Sequence, residues 1–379
     1  MKLVYVTSSR IPTERAYGQA IMKMCEAFAE TGVEVTLISP KKSPHQPKDS
    51  FEFHAIRRTF VHTHAWGTDL LNGVLVGRWG YWTDLLTFLL SMYTIQLPTL
   101  LRADVVFTRE LAFVPLRLFG IAVVLESHAL PARRGWYLWC ARFLSGIVTI
   151  SQPLKRAFES GGVSSKKICV LPSGVDLATF QINTEQNEAR ATLELPQGPL
   201  FLYTGNFTTM GEDKGILDVF RALAHMPQGT FVAVGAYPED FEHYTSEARK
   251  HNVQDRVIIR GRESQANLAL YQRAADILLM PFPDKPHYRN AMSPIKMFEY
   301  MASGRPIIAS DLPTIREVLN DSNAYFVQPG DAVRLSSVLQ EVFSHSDEAQ
   351  KRAEQARRDV QSYSWLERAR ALHTFFAHL

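Results

Sequence analysis

Short apolar runs alternate with longer amphipathic stretches along the whole chain. In the first half the runs are KLVYVTS, VEVTLISP, DVVFTRE, IAVVLESH and GIVTIS, and in the second half they are PLFLYTGNF, TFVAVGAY, RVIIRG, DILLMPF, RPIIASD and AYFVQPG. Continuous apolar runs of this length are typical of strands buried on both faces of a parallel sheet. Because helical stretches separate the runs, the pattern predicts an α/β protein with doubly wound parallel sheets.

A polar, turn-rich stretch interrupts this alternation near the middle of the chain. The chain has 379 residues, a length that favours two domains. We place the linker at about residues 178–195, between a first domain at 1–180 and a second at 190–361. The C-terminal helix, 362–379, is expected to pack back on the first domain. Ligands of doubly wound sheets bind beyond the carboxyl ends of the strands, so the chemistry is expected in the loops there.

Composition narrows the class of protein only a little. Apolar residues make up 46% and charged residues 21% of the chain, which is enough for two cores, and the net charge of +3 does not argue for nucleic acid. The cysteines, Cys25, Cys140 and Cys169, show no metal-binding spacing, which suits a reducing compartment. The start, MKLVYVTSS, lacks the long apolar core of a signal peptide, so a cytoplasmic location is expected.

One apolar segment tests that expectation. Residues 85–101 carry no formal charge and approach the length of a membrane span, but Pro98 interrupts them. We interpret the segment as a buried or interface-seeking helix rather than a transmembrane span. Basic residues of the first half could form a surface that contacts an anionic membrane, although scattered surface charge is the alternative. They are Arg57, Arg58, Arg133, Arg134, Lys155, Arg156, Lys166 and Lys167.

The strongest candidate for chemistry is SPIKMFEYMASG, a helix followed by the strand RPIIAS. Ser293 is expected as the N-cap, Pro294 as the first helical residue and Gly304 as the C-terminal stop. The free N–H groups and the dipole at the start of this helix form an anion site, to which Lys296 adds a full charge. Glu299 lies about 7.5 Å further along the helix axis, where it could accept hydrogen bonds from a ribose diol. The alternative is a solvated helix charge.

Two loops of the first half also follow predicted strands. In SSRIPTERAYGQA, Gly18 and a helix that opens at about Gln19 could receive a phosphate or a substrate hydroxyl, or the loop is a plain connection. There is no Gly-x-Gly-x-x-Gly in it, so a nicotinamide site is not supported. In LESHAL, Glu126 and His128 form a reasonable catalytic or substrate-contacting pair, unless the histidine only bonds within its loop.

Two further candidates carry less weight. Lys214 precedes Gly215 at the start of a helix, where it could reach a diphosphate as a point charge or remain a surface lysine. His62 and His64 would share one face of a strand. No third ligand is close to them in sequence, and we expect no metal there.

These stretches, in this order, resemble the retaining GT-B glycosyltransferases of glycosyltransferase family four. The similar stretches of the second half are YTGNF…DKG, VAVGAYPED, VIIRGR, ADILLMPF, SPIKMFEYMASGRPIIASDLPTIREVL and SYSWLERA. Those of the first half are RAYGQAIMKMCEAFAETGVEVTLISP, LESH, IVTIS and VLPSGVDLATF. The resemblance runs along nearly the whole chain and is weakest in residues 45–100. It implies the GT-B fold, in which two Rossmann-like domains face each other across a cleft.

The resemblance also implies roles for particular residues. Glu299 would bind the ribose of a nucleoside diphosphate sugar, amides of residues 293–296 would hold the diphosphate, and Lys214 would neutralise it. The catalytic residues that it implies are His128, Lys214 and Glu299. The donor-binding residues are Gly205, Asn206, Lys214, Gly235, Arg262, Asn290, Met292, Ser293, Pro294, Ile295, Lys296 and Glu299. The acceptor-side residues are Arg15, Tyr17, Gly18, Glu126 and His128, where His128 contacts the transferred sugar or stabilises the transition state.

The chain departs from the family pattern at two positions. Ala291 stands where the family has the glutamate that grips the sugar hydroxyls, and this work would pass to neighbouring residues, namely Asn290, Met292 and Ser293. Asn206 stands where an arginine is common, and Lys296 or Arg262 would compensate for the lost charge.

The implied reaction is transfer of a sugar to a hydroxyl of a saccharide or lipid-linked acceptor, in polysaccharide or glycoconjugate synthesis at the cytoplasmic face of a membrane. No Asp-x-Asp lies at a plausible donor site, so neither a metal nor another cofactor is expected. Two alternatives stay open. They are a sugar-nucleotide 2-epimerase and a non-catalytic nucleotide-binding protein.

Overall fold

The structure is a computed structural model that describes residues 1–40, 49–70, 78–209 and 211–379. It divides the chain into two compact units. The first consists of Met1–Ser173 with Trp365–Leu379, and the second of Gly174–Ser364. The residues of the predicted linker, 178–195, therefore lie within the second unit.

The described part of the first unit contains a seven-stranded parallel sheet with the order β3-β2-β1-β4-β5-β6-β7. Its strands are β1 (Lys2–Val6), β2 (Glu34–Pro40), β3 (Val61–Ala65), β4 (Val105–Thr108), β5 (Ala122–Ser127), β6 (Gly146–Thr149) and β7 (Ile168–Val170). Five of them confirm the apolar runs. β3 and β7 escape that pattern because the first alternates polar residues and the second has only three residues.

Helices connect these strands on both faces of the sheet. They are α1 (Ala16–Glu30), α2 (Ser50–Phe53), α3 (Arg78–Thr94), α4 (Leu97–Leu101), α5 (Arg134–Ala141) and α6 (Gln152–Ser160), with 3₁₀ turns at Leu111–Phe119 and Ser165–Lys167. The apolar segment 85–101, predicted as one helix, is thus divided between α3 and α4, because Pro98 suits the first turn of a new helix. Among the residues that the structure describes, no helix is both long and apolar enough to span a bilayer.

The second unit contains a six-stranded parallel sheet, within its described residues, with the order β12-β11-β8-β13-β14-β15. These strands and a small antiparallel pair, β9 and β10, are β8 (Leu200–Thr204), β9 (Thr208–Thr209), β10 (Glu212–Asp213), β11 (Thr230–Val234), β12 (Val257–Arg260), β13 (Ile277–Met280), β14 (Ile307–Ser310) and β15 (Tyr325–Val327). All six strands of the larger sheet match predicted apolar runs.

Helices again cover both faces of this sheet, and separate apolar clusters fill the two sides. The helices are α7 (Leu177–Phe180), α8 (Gln186–Thr192), α9 (Ile216–Ala224), α10 (Pro238–Lys250), α11 (Gln265–Ala274), α12 (Pro286–Asn290), α13 (Ile295–Ser303), α14 (Pro313–Arg316), α15 (Ala332–Ser344) and α16 (Ser346–Asp359). The 3₁₀ turns are Gln254–Arg256 and Val360–Tyr363.

The chain leaves the second unit beside the point where it enters. Val175 donates its N–H to the Tyr363 carbonyl at 3.0 Å, and Val175 and Ser364 form a parallel bridge. The last helix, α17 (Trp365–Phe376), then packs against α1 in the first unit. Phe376 lies 5.9 Å from Phe28 and 5.6 Å from Phe107, between ring centroids, so aromatic packing holds this helix on the sheet.

Candidate functional site

Two glycines lie at the carboxyl ends of neighbouring strands in the second unit. Gly205 follows β8 with a φ of +109°, and Gly235 follows β11 with a φ of +119°. A Cβ on Gly235 would lie 2.7 Å from the Gly205 carbonyl carbon, and one on Gly205 would lie 3.2 Å from the Lys296 Nζ. Only glycine fits this backbone conformation and this close approach. The two glycines predicted for donor binding therefore expose backbone, without side chains, at the carboxyl-terminal end of the sheet.

The loop that carries Lys214 is held by the carboxylate of Asp213. This carboxylate accepts hydrogen bonds from the Gly215 N–H at 2.7 Å and from the Tyr244 hydroxyl at 2.8 Å. Gly215 has a φ of +91°, and a Cβ there would collide with the Pro281 carbonyl. Burial lowers the pKa of Lys214 to about 8. The loop thus presents a partly desolvated ammonium group at the start of α9.

Lys296 is the most unusual charge of this unit. Its Nζ is shielded from solvent and has no hydrogen-bond partner among the described residues. The group lies 3.4 Å from the centroid of the Tyr203 ring and 5.4 Å from that of Phe282. Burial, followed by the nearby charge of Lys214, holds the pKa of Lys296 well below its usual value. Two desolvated lysines, one of which lowers the pKa of the other, form a site where a bound anion would be stabilised.

The helix α13 brings its amino end to Lys296. The N-cap is Pro294 and not Ser293, so the predicted capping is wrong by one residue. A proline side chain has no oxygen with which to cap, and the first amides of α13 therefore remain available to an anion. Gly304 ends the helix with a φ of +69°, which confirms the predicted C-terminal stop.

Glu299 is buried on α13 and is not a solvated helix charge, since only 7% of the residue is exposed. Burial raises its pKa to about 7, against the opposing effects of the Lys296 charge and of the Gln272 amide. Gln272 lies on α11 and is fully buried. A carboxylate beside a buried ammonium can accept hydrogen bonds from hydroxyl groups of a ligand.

The other predicted donor-binding residues differ in what their side chains contact. Asn206 donates from Nδ2 to the Tyr237 hydroxyl at 3.4 Å, and the Arg262 guanidinium lies 5.2 Å from the centroid of the Tyr237 ring. Asn290, in contrast, is exposed and donates to the Pro286 carbonyl at 2.9 Å. Met292 is buried in the core of the unit. Its side chain is therefore occupied by packing, whereas sequence analysis assigned it to sugar hydroxyls.

The first unit contains a charged cluster at the carboxyl end of β5. The buried carboxylate of Glu126 accepts hydrogen bonds from the Tyr5 hydroxyl at 2.9 Å, the Arg109 Nε at 2.8 Å and the Arg368 Nη2 at 2.9 Å. Although burial favours the neutral acid, Arg109, His128 and Arg368 together hold the pKa of Glu126 well below its usual range. The carboxylate is thus ionised and fully engaged.

His128 lies beside this carboxylate, as sequence analysis predicts for the pair. Its Nε2 is 3.3 Å from Glu126 Oε2. Burial, followed by the Arg109 charge, lowers the pKa of His128, while Glu126 opposes the shift. About 40% of the side chain remains exposed. A neutral imidazole that lies beside this carboxylate and is partly exposed can hydrogen-bond a substrate hydroxyl.

The predicted acceptor-side loop differs from expectation at its helix. α1 begins at Ala16 after the N-cap Arg15, three residues before the predicted start. Tyr17 and Gly18 therefore lie in its first turn, and Gly18 is buried. A Cβ on Gly18 would lie 2.4 Å from the Thr13 side chain and 3.2 Å from His54. This glycine permits close packing of the loop on the helix, and Arg15 is exposed at the helix start.

The paired histidines of β3 belong to a hydroxyl network. His62 contacts Ser39 Oγ at 2.9 Å and Ser50 Oγ at 2.6 Å, and His64 contacts Ser39 Oγ at 3.3 Å. Within the described residues, no group of three His, Cys, Asp or Glu side chains is placed to hold a metal ion.

Sequence analysis misses several residues of both sites. Arg109 approaches Glu126 from the residue after β4, and Arg368 approaches it from the distant α17, so no local pattern links them. Tyr203 and Tyr237 are also missed, because each is an ordinary aromatic residue in its own segment and contacts its cation only in the fold. A buried arginine on the apolar side of the C-terminal helix is the one signal that the sequence carries.

The chain is thus an α/β protein with two desolvated lysines at the carboxyl ends of the strands in one unit and an ionised glutamate beside a histidine in the other. Two family profiles match it. The profile described as Glycosyl transferases group 1 matches residues 198–345, and that described as Glycosyltransferase Family 4 matches residues 18–179. Together the two profiles match most of the chain, which therefore belongs to the glycosyltransferase family that they describe.

Curated relatives match only part of their own length. D-inositol 3-phosphate glycosyltransferase of Xylanimonas cellulosilytica is 27% identical over 227 residues, which are 57% of this chain and 52% of that protein. Glycogen synthase of Mycobacterium tuberculosis is 23% identical over 268 residues, which are 65% of this chain and 61% of that protein. This chain thus spans about half the length of the first relative and less than two thirds of the second.

Solved structures match over the whole chain. Sucrose-phosphate synthase from Thermosynechococcus elongatus superposes with a TM-score of 0.79 at 20% identity, covering 100% of this chain and 99% of that one. HepE of Anabaena, solved in complex with UDP, superposes with a TM-score of 0.76 at 15% identity, covering 100% of both chains. These likenesses show that the fold is GT-B.

Proposed function

We propose that this protein transfers a sugar from a nucleoside diphosphate sugar to a hydroxyl acceptor, with retention of configuration at the anomeric carbon. The observation that carries the proposal is the Lys296 ammonium, buried without a partner beside the free amides of α13 and close to Lys214. Such an arrangement is costly unless an anion occupies it. HepE, which shares the fold, has been solved with UDP and with UDP-glucose.

In this proposal the diphosphate occupies the edge formed by Gly205, Gly235 and the start of α13. Lys214 and Lys296 neutralise its charge, and Glu299 accepts hydrogen bonds from the ribose diol. When the bond between the anomeric carbon and the β-phosphate oxygen breaks, negative charge grows on the diphosphate. The two ammonium groups and the helix amides stabilise that charge, so protein groups take the place of a metal ion.

The first unit would hold the acceptor. His128, fixed by Glu126, hydrogen-bonds the transferred sugar and stabilises the oxocarbenium-like transition state. The acceptor hydroxyl forms the new bond to the anomeric carbon, and its proton passes to the leaving phosphate. We propose a saccharide or lipid-linked acceptor at the cytoplasmic face of a membrane.

The proposal is tested first by binding and then by product analysis. Purified protein is screened for thermal stabilisation by UDP, GDP, ADP and their sugars. A ligand at 100 times its dissociation constant adds about 2.7 kcal/mol to the free energy of unfolding. NMR of the glycoside formed from the best donor and an acceptor then gives its anomeric configuration. An inverted product, or interconversion of the sugar nucleotide without acceptor, would contradict retaining transfer.

Lys296→Met is expected to stabilise the free protein while it weakens donor binding. Methionine keeps the apolar contacts with Tyr203 and removes a buried, unpartnered charge, so the melting temperature should rise, by roughly 2–4 °C per kcal/mol. The lost charged hydrogen bond should weaken UDP binding by about 1.5–3 kcal/mol. Differential scanning fluorimetry and isothermal titration measure the two effects. A lower melting temperature with unchanged affinity would assign Lys296 a structural role only.

Glu299→Gln is expected to weaken UDP-glucose binding at pH 8 by about 1–3 kcal/mol, because an ionised acceptor of the diol is lost. The wild-type affinity should also fall as the pH is lowered from 8 to 6. The pKa of Glu299 is about 7, so above this pH the carboxylate accepts and below it the acid form predominates. The variant should lack this fall and should bind slightly more tightly at pH 6 than at pH 8, because Lys214, with a pKa of about 8, is then fully protonated. UDP-glucose is preferred to UDP because a terminal phosphate itself titrates near a pH of about 6. Glu242→Gln, exposed on α10, is the control, and equal affinities for all three proteins would refute the role of Glu299.

A further inference from the structure

The tryptophans of this protein are distributed unevenly between water and core. The chain has six tryptophans, a residue type that is usually well buried. Trp365 alone among them lies in the core, with 8% exposed. The other five are between 51% and 80% exposed and all belong to the first unit, namely Trp66, Trp79, Trp82, Trp136 and Trp139.

Four of these tryptophans form the exposed sides of two helices. In α3, Phe88 and Met92 pack in the core, and the opposite side exposes Trp79, Trp82, Leu86 and Leu90. In α5, Leu138 packs in the same core, while Trp136, Trp139 and, just beyond the helix, Phe143 are exposed. We call these seven exposed side chains the aromatic face.

The two helices pack on the same apolar cluster of the first unit, and both place a tyrosine near Glu110. The same apolar cluster contains Phe88 of α3 and Leu138 of α5. Tyr81 of α3 and Tyr137 of α5 both lie near Glu110, whose charge, after burial, raises the pKa of each phenol. Glu110 also accepts a hydrogen bond from Ser8, in the predicted acceptor-side loop. The aromatic face therefore adjoins that loop within the first unit.

Arginines flank the part of this face that α5 carries, and others are exposed in the same stretch of the chain. From α3 to the end of α5 and its following turn, the exposed arginines are Arg102, Arg117, Arg133, Arg134 and Arg142. The acidic groups of the same described region are mostly engaged. Asp84 accepts hydrogen bonds from the Thr68 hydroxyl and the Leu70 N–H, and Glu126 is buried among its own partners. An exposed aromatic face with a basic border matches an anionic surface.

Other basic residues that sequence analysis considered for this role are used differently. Arg57 is paired with Glu26, and Arg58 with Asp49. Lys167 donates to the carbonyls of Arg142 and Leu144, each at 3.0 Å. Arg156 and Lys166 are exposed away from α3 and α5, and Arg142 donates to the Gly161 carbonyl. Of the described side chains, Arg133 and Arg134, which closely precede Trp136, are therefore the exposed charges nearest to the aromatic face in the chain.

We infer that the aromatic face, with its arginine border, binds an anionic lipid bilayer. Tryptophan is favoured at the headgroup level, where its ring is half in apolar surroundings and its N–H is hydrated. Arginines beside it are attracted to anionic lipids. The inference deepens the proposed function, on which it rests for the acceptor, since a bilayer at this face would bring a lipid-linked acceptor to the acceptor-side loop.

The test is co-sedimentation of the full chain with vesicles that contain no acceptor. Binding is expected with vesicles containing phosphatidylglycerol and not with pure phosphatidylcholine, and it should weaken in high salt. Because five of the six tryptophans are exposed in the first unit, their emission should shift to the blue on binding, and brominated lipids should quench it.

Two variants and two matched controls decide which surface is responsible. Arg133→Glu with Arg134→Glu should lower the partition coefficient about tenfold or more, since each basic residue contributes about a factor of five. Trp136→Ser with Trp139→Ser should weaken binding and reduce the blue shift, of which Trp79 and Trp82 keep a part. Arg249→Glu with Lys250→Glu, and Phe241→Ser with Phe343→Ser, alter exposed residues of the second unit and should bind as the wild type does.

Three results would overturn the inference. They are no binding to either vesicle, equal loss of binding in the controls, and a dimer in sedimentation velocity that dissociates in the Trp136–Trp139 double variant. The last result would assign the aromatic face to a second copy of the chain. Stabilisation by UDP-sugars is measured on the same protein without vesicles, so failure of the proposed donor chemistry is detected separately.

Discussion

Lys214→Ala is expected to lower kcat by about 10²–10³-fold, because the group lies where negative charge grows on the leaving diphosphate. Its ammonium is partly desolvated, and the Asp213 carboxylate fixes the loop that carries it through the Gly215 N–H. A charge held in place before the reaction costs no reorganisation during it. Because the stabilised charge develops mainly in the transition state, the effect should appear in kcat more than in KM.

The pH dependence gives this prediction a second measurement. Burial lowers the pKa of Lys214 to about 8 in the free protein. The ammonium is therefore present below pH 8 and is lost as the pH rises through that value. We expect the wild-type kcat/KM to fall above pH 8, and this limb should be absent from the residual activity of Lys214→Ala.

Lys285→Ala is the matched control for Lys214. Lys285 is the N-cap of α12 and is about half exposed. It pairs with Glu212 at 2.9 Å on the surface, so its loss should leave kcat unchanged. A lower melting temperature with normal specific activity in Lys214→Ala would assign Lys214 to folding. Activity that requires Mg²⁺ and is lost with a chelator would contradict charge neutralisation by protein groups.

The sheets of both units are predictable from the sequence because their strands are buried on both faces. A strand such as β13, ILLM, must be apolar at every position, and no distant residue is needed to recognise it. The bounds of α13 are also predictable from local sequence, because Pro294 lies at its start and Gly304 at its end. In the structure the N-cap is Pro294 rather than the predicted Ser293, and no side chain caps the first amides of α13.

Residues 178–195, predicted as a linker, instead contain α8 and lie within the second unit. The sequence does not reveal this helix because its packing depends on residues that are distant in the chain. Arg190 donates to the Ala274 carbonyl and to the Asp276 carboxylate, each at 2.8 Å, and Gln186 donates to the same carboxylate. In sequence these residues are polar and typical of a linker. Their role appears only when residues about 86 positions away are folded beside them.

The Glu126 cluster is the part of the candidate site that sequence reasoning reaches least. It predicts the pair of Glu126 and His128, which are two residues apart. It does not reach Arg368, which is 242 residues away from Glu126 in the chain. On a helix wheel Arg368 lies among Trp365, Ala369 and Leu372, and a buried arginine in such company signals a buried carboxylate partner.

Arg368→Ala is expected to lower the free energy of unfolding by about 3–5 kcal/mol, because it leaves a buried carboxylate short of a partner. The Arg368 guanidinium bonds Glu126 Oε1 at 2.9 Å and the Pro172 carbonyl at 2.8 Å, so it also joins α17 to the rest of the first unit. Urea unfolding measures the loss. Arg370→Ala, which removes an exposed arginine paired with Glu367 on the same helix, should change stability little.

Arg368 should also affect His128 without touching it, through the charge that it contributes. The guanidinium contributes to the lowered pKa of His128, after burial and Arg109. Its removal should therefore raise the pKa of His128, and NMR titration of the imidazole Cε1 proton would show this. If neutral His128 is the active form, the acidic limb of the kcat/KM profile should move to higher pH. Arg368→Lys, which keeps the charge, should restore the His128 pKa even where it does not restore stability.

Combining Arg368→Ala with Glu126→Gln separates the two consequences of the same contact. The buried charge that Arg368→Ala leaves short of a partner is absent from the double variant. Its loss of unfolding free energy should therefore be smaller than the sum of the two single losses. The His128 pKa should nevertheless fall, because the carboxylate that favours the imidazolium is gone while Arg109 remains. A purely structural arginine would also be coupled to Glu126 in stability, but it would leave the His128 titration unchanged in Arg368→Ala. That result would leave Glu126 and Arg109 as the groups that set the state of His128.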